Sequence, residues 1–301
     1  MAEVQQAAPA VTFLALELTG RCNLACGHCF AESGPSGTHG VMTTRDWERV
    51  IGEAAGLGVR AVQFIGGEVT LHPGLCALVR HAVAVDLRVE VFSNLTHVTP
   101  AQWDVLSLPG VSLATSWYTA DPAAHAQVTG RQSAYARTKA NIAEAVRRGI
   151  PLRAGMVDVA GREHARAGQA ELAVLGVTRV SAPDRVRRIG RAAEPGAAIG
   201  EVAELCGRCG RGVAAVSPDG DVWPCVMSRW LPAGNVLRGG LGQVLAGPRW
   251  RAVVAGIPEP RAGKDPDPCG PDQKCNPDLD GDDCRPTVIP ACVPKYEEDG
   301  V

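Results

Sequence analysis

The chain has 301 residues, 46% of them hydrophobic, and a formal net charge of −2. That length supports one large core, or one core with a smaller satellite, and the near-zero charge argues against a nucleic-acid partner held by phosphate neutralisation. No apolar stretch reaches the roughly 18 residues that cross a bilayer, and eleven cysteines in a chain of this size point to metal ligation in a reducing cytoplasm rather than to a disulfide framework.

Residues 1–11 read as an N-terminal arm. Residues 12–192 alternate β-branched apolar runs with helical stretches, the pattern of βα units around a parallel sheet. Val11–Leu18 is the first predicted strand; it is too short, and too acidic at Glu17, for a signal segment. Thr43 and Asp46 form a capping box for a helix with Trp47, Val50, Ile51 and Ala54 on one face. Val59–Ile65 is the second strand, followed by Gly66-Gly67-Glu68 and a helix that carries Cys76. Leu87–Phe92 is the third, ending in Ser93-Asn94, and Thr99-Pro100 opens the next helix. Val111–Ser116, Leu152–Val157 and Thr178–Ser181 are the remaining strands, with helices over Ser133–Arg148 and Glu163–Leu175. Six units predict an α/β fold, a partial (βα)6 TIM-like barrel, with chemistry at the C-terminal mouth of its strands.

Residues 193–205 read as a linker, and from Cys206 the chain becomes loop-rich, with seven cysteines and little helical periodicity. Residues 206–296 predict a small cysteine-rich iron–sulfur domain containing a β-hairpin, Ala214–Ser217 with Asp221–Trp223. Metal would staple a segment too poor in apolar pattern for a core of its own. Residues 297–301 form an acidic tail.

Cys22, Cys26 and Cys29 form a CxxxCxxC triplet on the loop after the first strand. Three thiolates at this spacing can hold three irons of a cubane [4Fe–4S] cluster and leave the fourth open to a chelating ligand. Structural zinc normally asks for a fourth Cys or His partner, and zinc or a disulfide is the weaker reading here. Gly66-Gly67-Glu68 ends a predicted strand 37 residues after Cys29, where glycines admit a ligand close to the backbone.

On these residues the chain resembles the radical SAM enzymes over most of its length. The resemblance implies that the open iron binds S-adenosylmethionine (SAM), whose reductive cleavage yields a 5′-deoxyadenosyl radical. It implies that Glu68 suits SAM's amino group and that His28 packs on adenine. Ser93, Asn94 and Ser116 are expected at its ribose and carboxylate, although strand-end polarity explains any one of them equally well. Arg131 and Arg153 could pair with SAM's carboxylate or with substrate, and Val186–Gly190 falls where backbone meets adenine. The spacing of Cys206, Cys209, Gly220 and Cys225 resembles a SPASM auxiliary-cluster domain. That likeness implies Cys206, Cys209, Cys225 and Cys284 on a nearer cluster. Cys269, Asp272, Cys275 and Cys292 would hold a farther one. Asp272 stands where a cysteine is expected; the alternatives are a turn residue, or an open iron with only three protein ligands.

Other residues read as structural. Cys76 is a buried small hydrophobe, His72 steadies its loop, His125 and His164 lie at the surface, and Trp117 and Tyr118 line a pocket or pack the barrel rim. The resemblance implies a SAM-dependent peptide maturase that oxidatively crosslinks a ribosomally made precursor peptide. It needs a flavodoxin- or ferredoxin-type reductant, acts in the cytoplasm, and involves neither nucleic acid nor membrane. Because the barrel starts about a dozen residues from Met1, leader recognition falls to a separate protein or to direct binding. The alternatives are a radical SAM dehydrogenase of a small molecule such as an aminosugar, with one auxiliary cluster, and a non-catalytic electron carrier.

Overall fold

The computed structural model describes residues 11–193 and 200–259. Six parallel strands, β1 (Phe13–Thr19), β2 (Ala61–Gly66), β3 (Arg88–Phe92), β4 (Val111–Trp117), β5 (Leu152–Val157) and β6 (Arg179–Asp184), lie in sequence order. Helices α1 (Thr44–Gly56), α2 (Leu75–Ala84), α3 (Pro100–Leu106), α4 (Pro122–Thr129), α5 (Ala134–Arg147) and α6 (Arg162–Val174) separate them. This is the partial barrel of the sequence reading, one or two residues displaced at most strand ends.

All seven residues of β1 are buried, as a strand covered on both faces requires. Leu14, Leu16 and Leu18 join Trp47, Ile51 and Phe64 in the core between sheet and helices, while Phe13 and Ala15 face the barrel interior with Ala61 and Ile65. Burial of a side chain such as Leu16 or Phe64 stabilises the fold by roughly 1.5–3 kcal/mol each. The capping box of α1 is formed, with Thr43 N–H donating to Asp46 Oδ2 at 2.9 Å and Asp46 N–H to Thr43 Oγ1 at 3.2 Å. Thr99 and Gln102 make a second box at α3.

Beyond residue 200 the expected β-hairpin is joined to the barrel sheet. The hairpin strands β7 (Val213–Val216) and β8 (Asp221–Trp223) are present, and β7 pairs in parallel with β1, Phe13 opposite Val213 through Leu16 opposite Val216. With β9 (Gly234–Asn235) they extend the barrel into one nine-stranded sheet, β6-β5-β4-β3-β2-β1-β7-β8-β9. The reason is apolar: Val213 and Ala215 complete the interior cluster of Phe13 and Ala15, and Ala214 and Val216 join the outer core. Two helices also stand where little helix was expected, α7 (Val236–Ala246, kinked at Gly240) and α8 (Pro248–Ala255). Within the expected linker, Glu204 is buried and bonded by Arg185 and Arg188.

Candidate functional site

The three thiols belong to the long loop that leaves β1, and close backbone packing fixes that loop. Gly66, at φ 140°, and Gly67 lie beneath it: a Cβ on Gly67 would stand 2.2 Å from the Arg21 carbonyl. Gly67 N–H donates to Thr19 O at 2.6 Å and Glu68 N–H to Arg21 O at 2.8 Å. The glycines therefore act first on the protein's own chain, letting the loop after β2 support the cysteine loop. Arg191, from the segment after β6, closes the other side, its Nε donating to Cys26 O and its backbone N–H to Cys29 O.

Cys22, Cys26 and Cys29 line one cavity at the C-terminal ends of the strands, about 1140 Å³ including open solvent at its mouth. Gly66, Gly67, Asn94, Ser116 and His28 line it too, together with Arg185, Val186 and Arg187 after β6. Asn94 Nδ2 lies 3.8 Å from the Cys22 sulfur and 2.8 Å from Asn23 Oδ1. Burial pushes the Cys22 thiol up to about 12 and the Cys26 thiol up to about 11. Without a cation these sulfurs stay protonated, so they suit a site whose positive irons would stabilise thiolate. Among the described residues, no group of three His, Cys, Asp or Glu side chains is arranged around a single metal ion; ligands to three corners of a cubane need not converge on one point.

Several expected contacts are redirected. Glu68 does not face the cavity. Its Oε1 accepts from Thr70 N–H at 3.0 Å, Thr70 Oγ1 at 2.7 Å and Ser93 Oγ at 2.7 Å, and its Oε2 accepts from Asn94 N–H at 2.7 Å. Burial raises this carboxyl's pKa and the donors act against it. Ser93 is likewise buried against Glu68 rather than presented to a ligand. Arg153 is spent on a bidentate pair with Glu90, both contacts 2.7 Å, and its guanidinium sits 5.6 Å from the Phe92 ring centre. Arg131 braces the cysteine loop, donating to Asn23 O at 3.1 Å and to Ser133 Oγ at 3.2 Å.

His125 corrects the sequence reading most sharply. It lines the cavity at 2% exposure, and neither ring nitrogen finds a hydrogen-bond partner among the described residues. Trp117, Tyr118 and Tyr135 surround it with ring centres 5.0, 5.5 and 5.7 Å away. Burial lowers its pKa to about 4, so it is neutral at pH 7. His28 packs edge-on to Tyr118 at 5.0 Å, and burial, aided by the Arg191 charge, holds it at about 4 as well. Tyr118 lines the cavity, its hydroxyl paired with Ser116 and the Cys26 thiol, while Trp117 is wholly buried. His164 is half-buried beside Thr119 Oγ1 at 2.9 Å rather than at the surface. His72 is buried and accepts from Gly74 N–H, and Cys76 lies half-buried on α2 against the core.

The second cysteine set is partly described. Cys209 and Cys225 are buried with sulfurs 2.8 Å apart, and Cys206 pairs with Cys209. Hydrogen bonding within this trio drives the Cys209 thiol far above its ordinary pKa. Cys269, Asp272, Cys275, Cys284 and Cys292 lie outside the described residues.

A profile of the radical SAM superfamily matches residues 16–164, and one of the SPASM iron–sulfur cluster-binding domain matches residues 206–276. The chain carries a radical SAM domain followed by a SPASM domain. A radical SAM domain binds a [4Fe–4S] cluster and SAM, and a SPASM domain binds auxiliary iron–sulfur clusters. The PqqA peptide cyclase of Ruegeria pomeroyi is 35% identical over 148 residues, 48% of this chain and 39% of that protein. The AdoMet-dependent heme synthase of Methanosarcina barkeri is 34% identical over 130 residues, 43% of this chain and 37% of that one. The matched region thus spans about two fifths of each relative's length. Streptococcus suis SuiB shares the fold, in structures bound to S-adenosylmethionine (TM-score 0.69, 83% of this chain and 68% of SuiB) and to the precursor peptide SuiA (TM-score 0.68, 83% and 67%), at 15% identity.

Proposed function

We propose that this protein is a SAM-dependent enzyme that oxidatively crosslinks a ribosomally made precursor peptide. The observation that carries the reading is the convergence of Cys22, Cys26 and Cys29 on one cavity with the Gly66-Gly67 backbone, at the mouth of the barrel. Bound there, a [4Fe–4S] cluster and SAM supply a deoxyadenosyl radical able to abstract hydrogen. The protein's own share is to bind, orient and exclude water. Cys22, Cys26 and Cys29 are the cluster ligands in this reading; Asn94, Ser116 and the glycine backbone face SAM, and His28 with Tyr118 forms an apolar wall for adenine. Cys206, Cys209 and Cys225, with Cys284, serve a nearer auxiliary cluster, and Cys269, Asp272, Cys275 and Cys292 a farther one.

The peptide substrate rests on the relative named PqqA peptide cyclase, 35% identical over the region it shares. Two auxiliary clusters suit a reaction that must dispose of an electron after bond formation. A flavodoxin- or ferredoxin-type reductant completes the proposal, with action in the cytoplasm; among the described residues no helix is long and apolar enough to cross a membrane.

The test is iron and sulfide per chain after anaerobic reconstitution, together with deoxyadenosine released on reduction with SAM. About twelve irons with SAM cleavage supports one radical and two auxiliary clusters; about eight favours the small-molecule dehydrogenase. Cys22→Ala, Cys26→Ala and Cys29→Ala should each abolish deoxyadenosine while C-terminal iron remains. Persisting cleavage in any of them overturns the assignment.

A further inference from the structure

The segment after β6 carries four arginines in seven residues, Arg185, Arg187, Arg188 and Arg191. Arg185 and Arg188 reach Glu204, and Arg187 reaches Asp184, as ion pairs. Arg191 behaves differently, because its hydrogen bonds go to main-chain carbonyls of the cysteine loop. Nε donates to Cys26 O at 2.8 Å, an Nη to Ser33 O at 2.8 Å, and its backbone N–H to Cys29 O at 3.1 Å. The residue before it makes this approach possible: Gly190 has φ +60°, and a Cβ there would stand 2.4 Å from Phe30 O and 2.5 Å from Cys29 O. One guanidinium and one glycine thus hold the turn that presents Cys26 and Cys29. The same strap is anchored behind, where Arg187 donates to the Glu204 carbonyl at 2.8 Å, two residues before Cys206.

We propose that Arg191 is a positioning residue for the iron–sulfur cluster of the cysteine loop, fixing the Cys26–Cys29 turn and leaving a positive charge beside the cluster. This rests on reading Cys22, Cys26 and Cys29 as its ligands. A neutral carbonyl accepts the hydrogen bonds without cancelling the guanidinium charge, so the charge still acts on the cluster. Cluster potentials respond to nearby net charge and hydrogen bonding, and groups that orient metal ligands typically govern retention by 10–100-fold. Arg191 therefore raises the reduction potential of this cluster and slows its loss.

The experiment uses the full chain, reconstituted anaerobically, as wild type, Arg191→Gln, Arg191→Lys and Gly190→Ala. Two quantities are read: the midpoint potential of the cluster whose EPR spectrum changes on adding SAM, and the rate at which its iron passes to a chelator. Arg191→Gln should give a more negative potential and about tenfold faster iron loss. Arg191→Lys keeps the charge but not the planar fork, so it should hold the wild-type potential while losing iron faster. Gly190→Ala should lose iron faster with the arginine intact, because the added methyl pushes the strap off the loop. Wild-type potential and wild-type iron loss in Arg191→Gln would overturn the proposal. Should that variant hold no cluster, wild-type iron loss in Arg191→Lys overturns it instead. The ligand reading fails separately, if a SAM-responsive signal survives in Cys22→Ala, Cys26→Ala or Cys29→Ala.

Discussion

Glu68→Gln separates two roles for the carboxylate of the Gly-Gly-Glu loop. In the structure its two oxygens accept four hydrogen bonds from Thr70, Ser93 and Asn94 in a fully buried setting. Glutamine keeps one oxygen and replaces the other with a donor. With the oxygen left facing Thr70 and Ser93, the new amide N–H groups meet the Asn94 N–H, donor against donor. One hydrogen bond to a charged acceptor is lost, about 1.5–3 kcal/mol, and a buried donor is left unmatched at about 1–3 kcal/mol. A loss of about 2.5–6 kcal/mol follows, a large share of the 5–15 kcal/mol typical of a domain. Denaturant unfolding should show it as a lower midpoint at unchanged slope, while SAM affinity, measured on folded reconstituted protein, changes less than tenfold. If stability is unchanged and SAM affinity falls more than tenfold, the carboxylate serves the ligand and the reasoning fails.

Three further outcomes can be checked. Ending the chain at residue 205 removes β7 from the edge of β1 and uncovers Phe13, Ala15 and Ile65, so this fragment should aggregate; a soluble fragment with cooperative unfolding would show that the barrel is independent. Arg229→Met strands the buried Glu17 carboxylate, which burial already shifts upward against the pull of Arg229. The loss should be about 3–5 kcal/mol, with much of it recovered in Glu17→Gln/Arg229→Met; a double variant no better than the single refutes the pairing. His125 has its pKa lowered from 6.5 to about 4. The unfolded chain binds that proton first, so its contribution is complete above pH 6.5 and is lost as pH falls toward 4. His125→Phe should lose less stability than wild type in melts between pH 7 and pH 4.5, and parallel curves would contradict this.

The barrel and the place of its site were legible because they follow from period and topology. Apolar runs separated by capped helices dictate parallel strands, and polar tips at their C-terminal ends dictate a shared mouth. What escaped were choices among neighbours distant in sequence. The Val213–Val216 run reads as a fully buried strand in hindsight, but its partner lies 200 residues away in β1. Helix α7 carries Gly239, Gly240 and Gly242, poor helix formers, and tertiary contacts make up for them: Arg49 donates to Val236 O at 3.1 Å, and Glu53 accepts from Leu241 N–H.

The side chains around the cysteine loop carry this distinction furthest. A carboxylate beside two glycines looks the same in sequence whether it meets a ligand's ammonium or the Ser93 hydroxyl. A histidine on the eight-residue α4 gives little periodicity by which to tell its buried face. Arg191 acts on carbonyls, which every residue possesses, so no partner residue type could announce it. Composition and spacing therefore mark the candidate site, whereas the aim of each polar group depends on packing between segments. Glu68 is taken by Ser93 and Asn94 and Arg153 by Glu90, all from other segments, while His125 is enclosed by the rings of Trp117, Tyr118 and Tyr135.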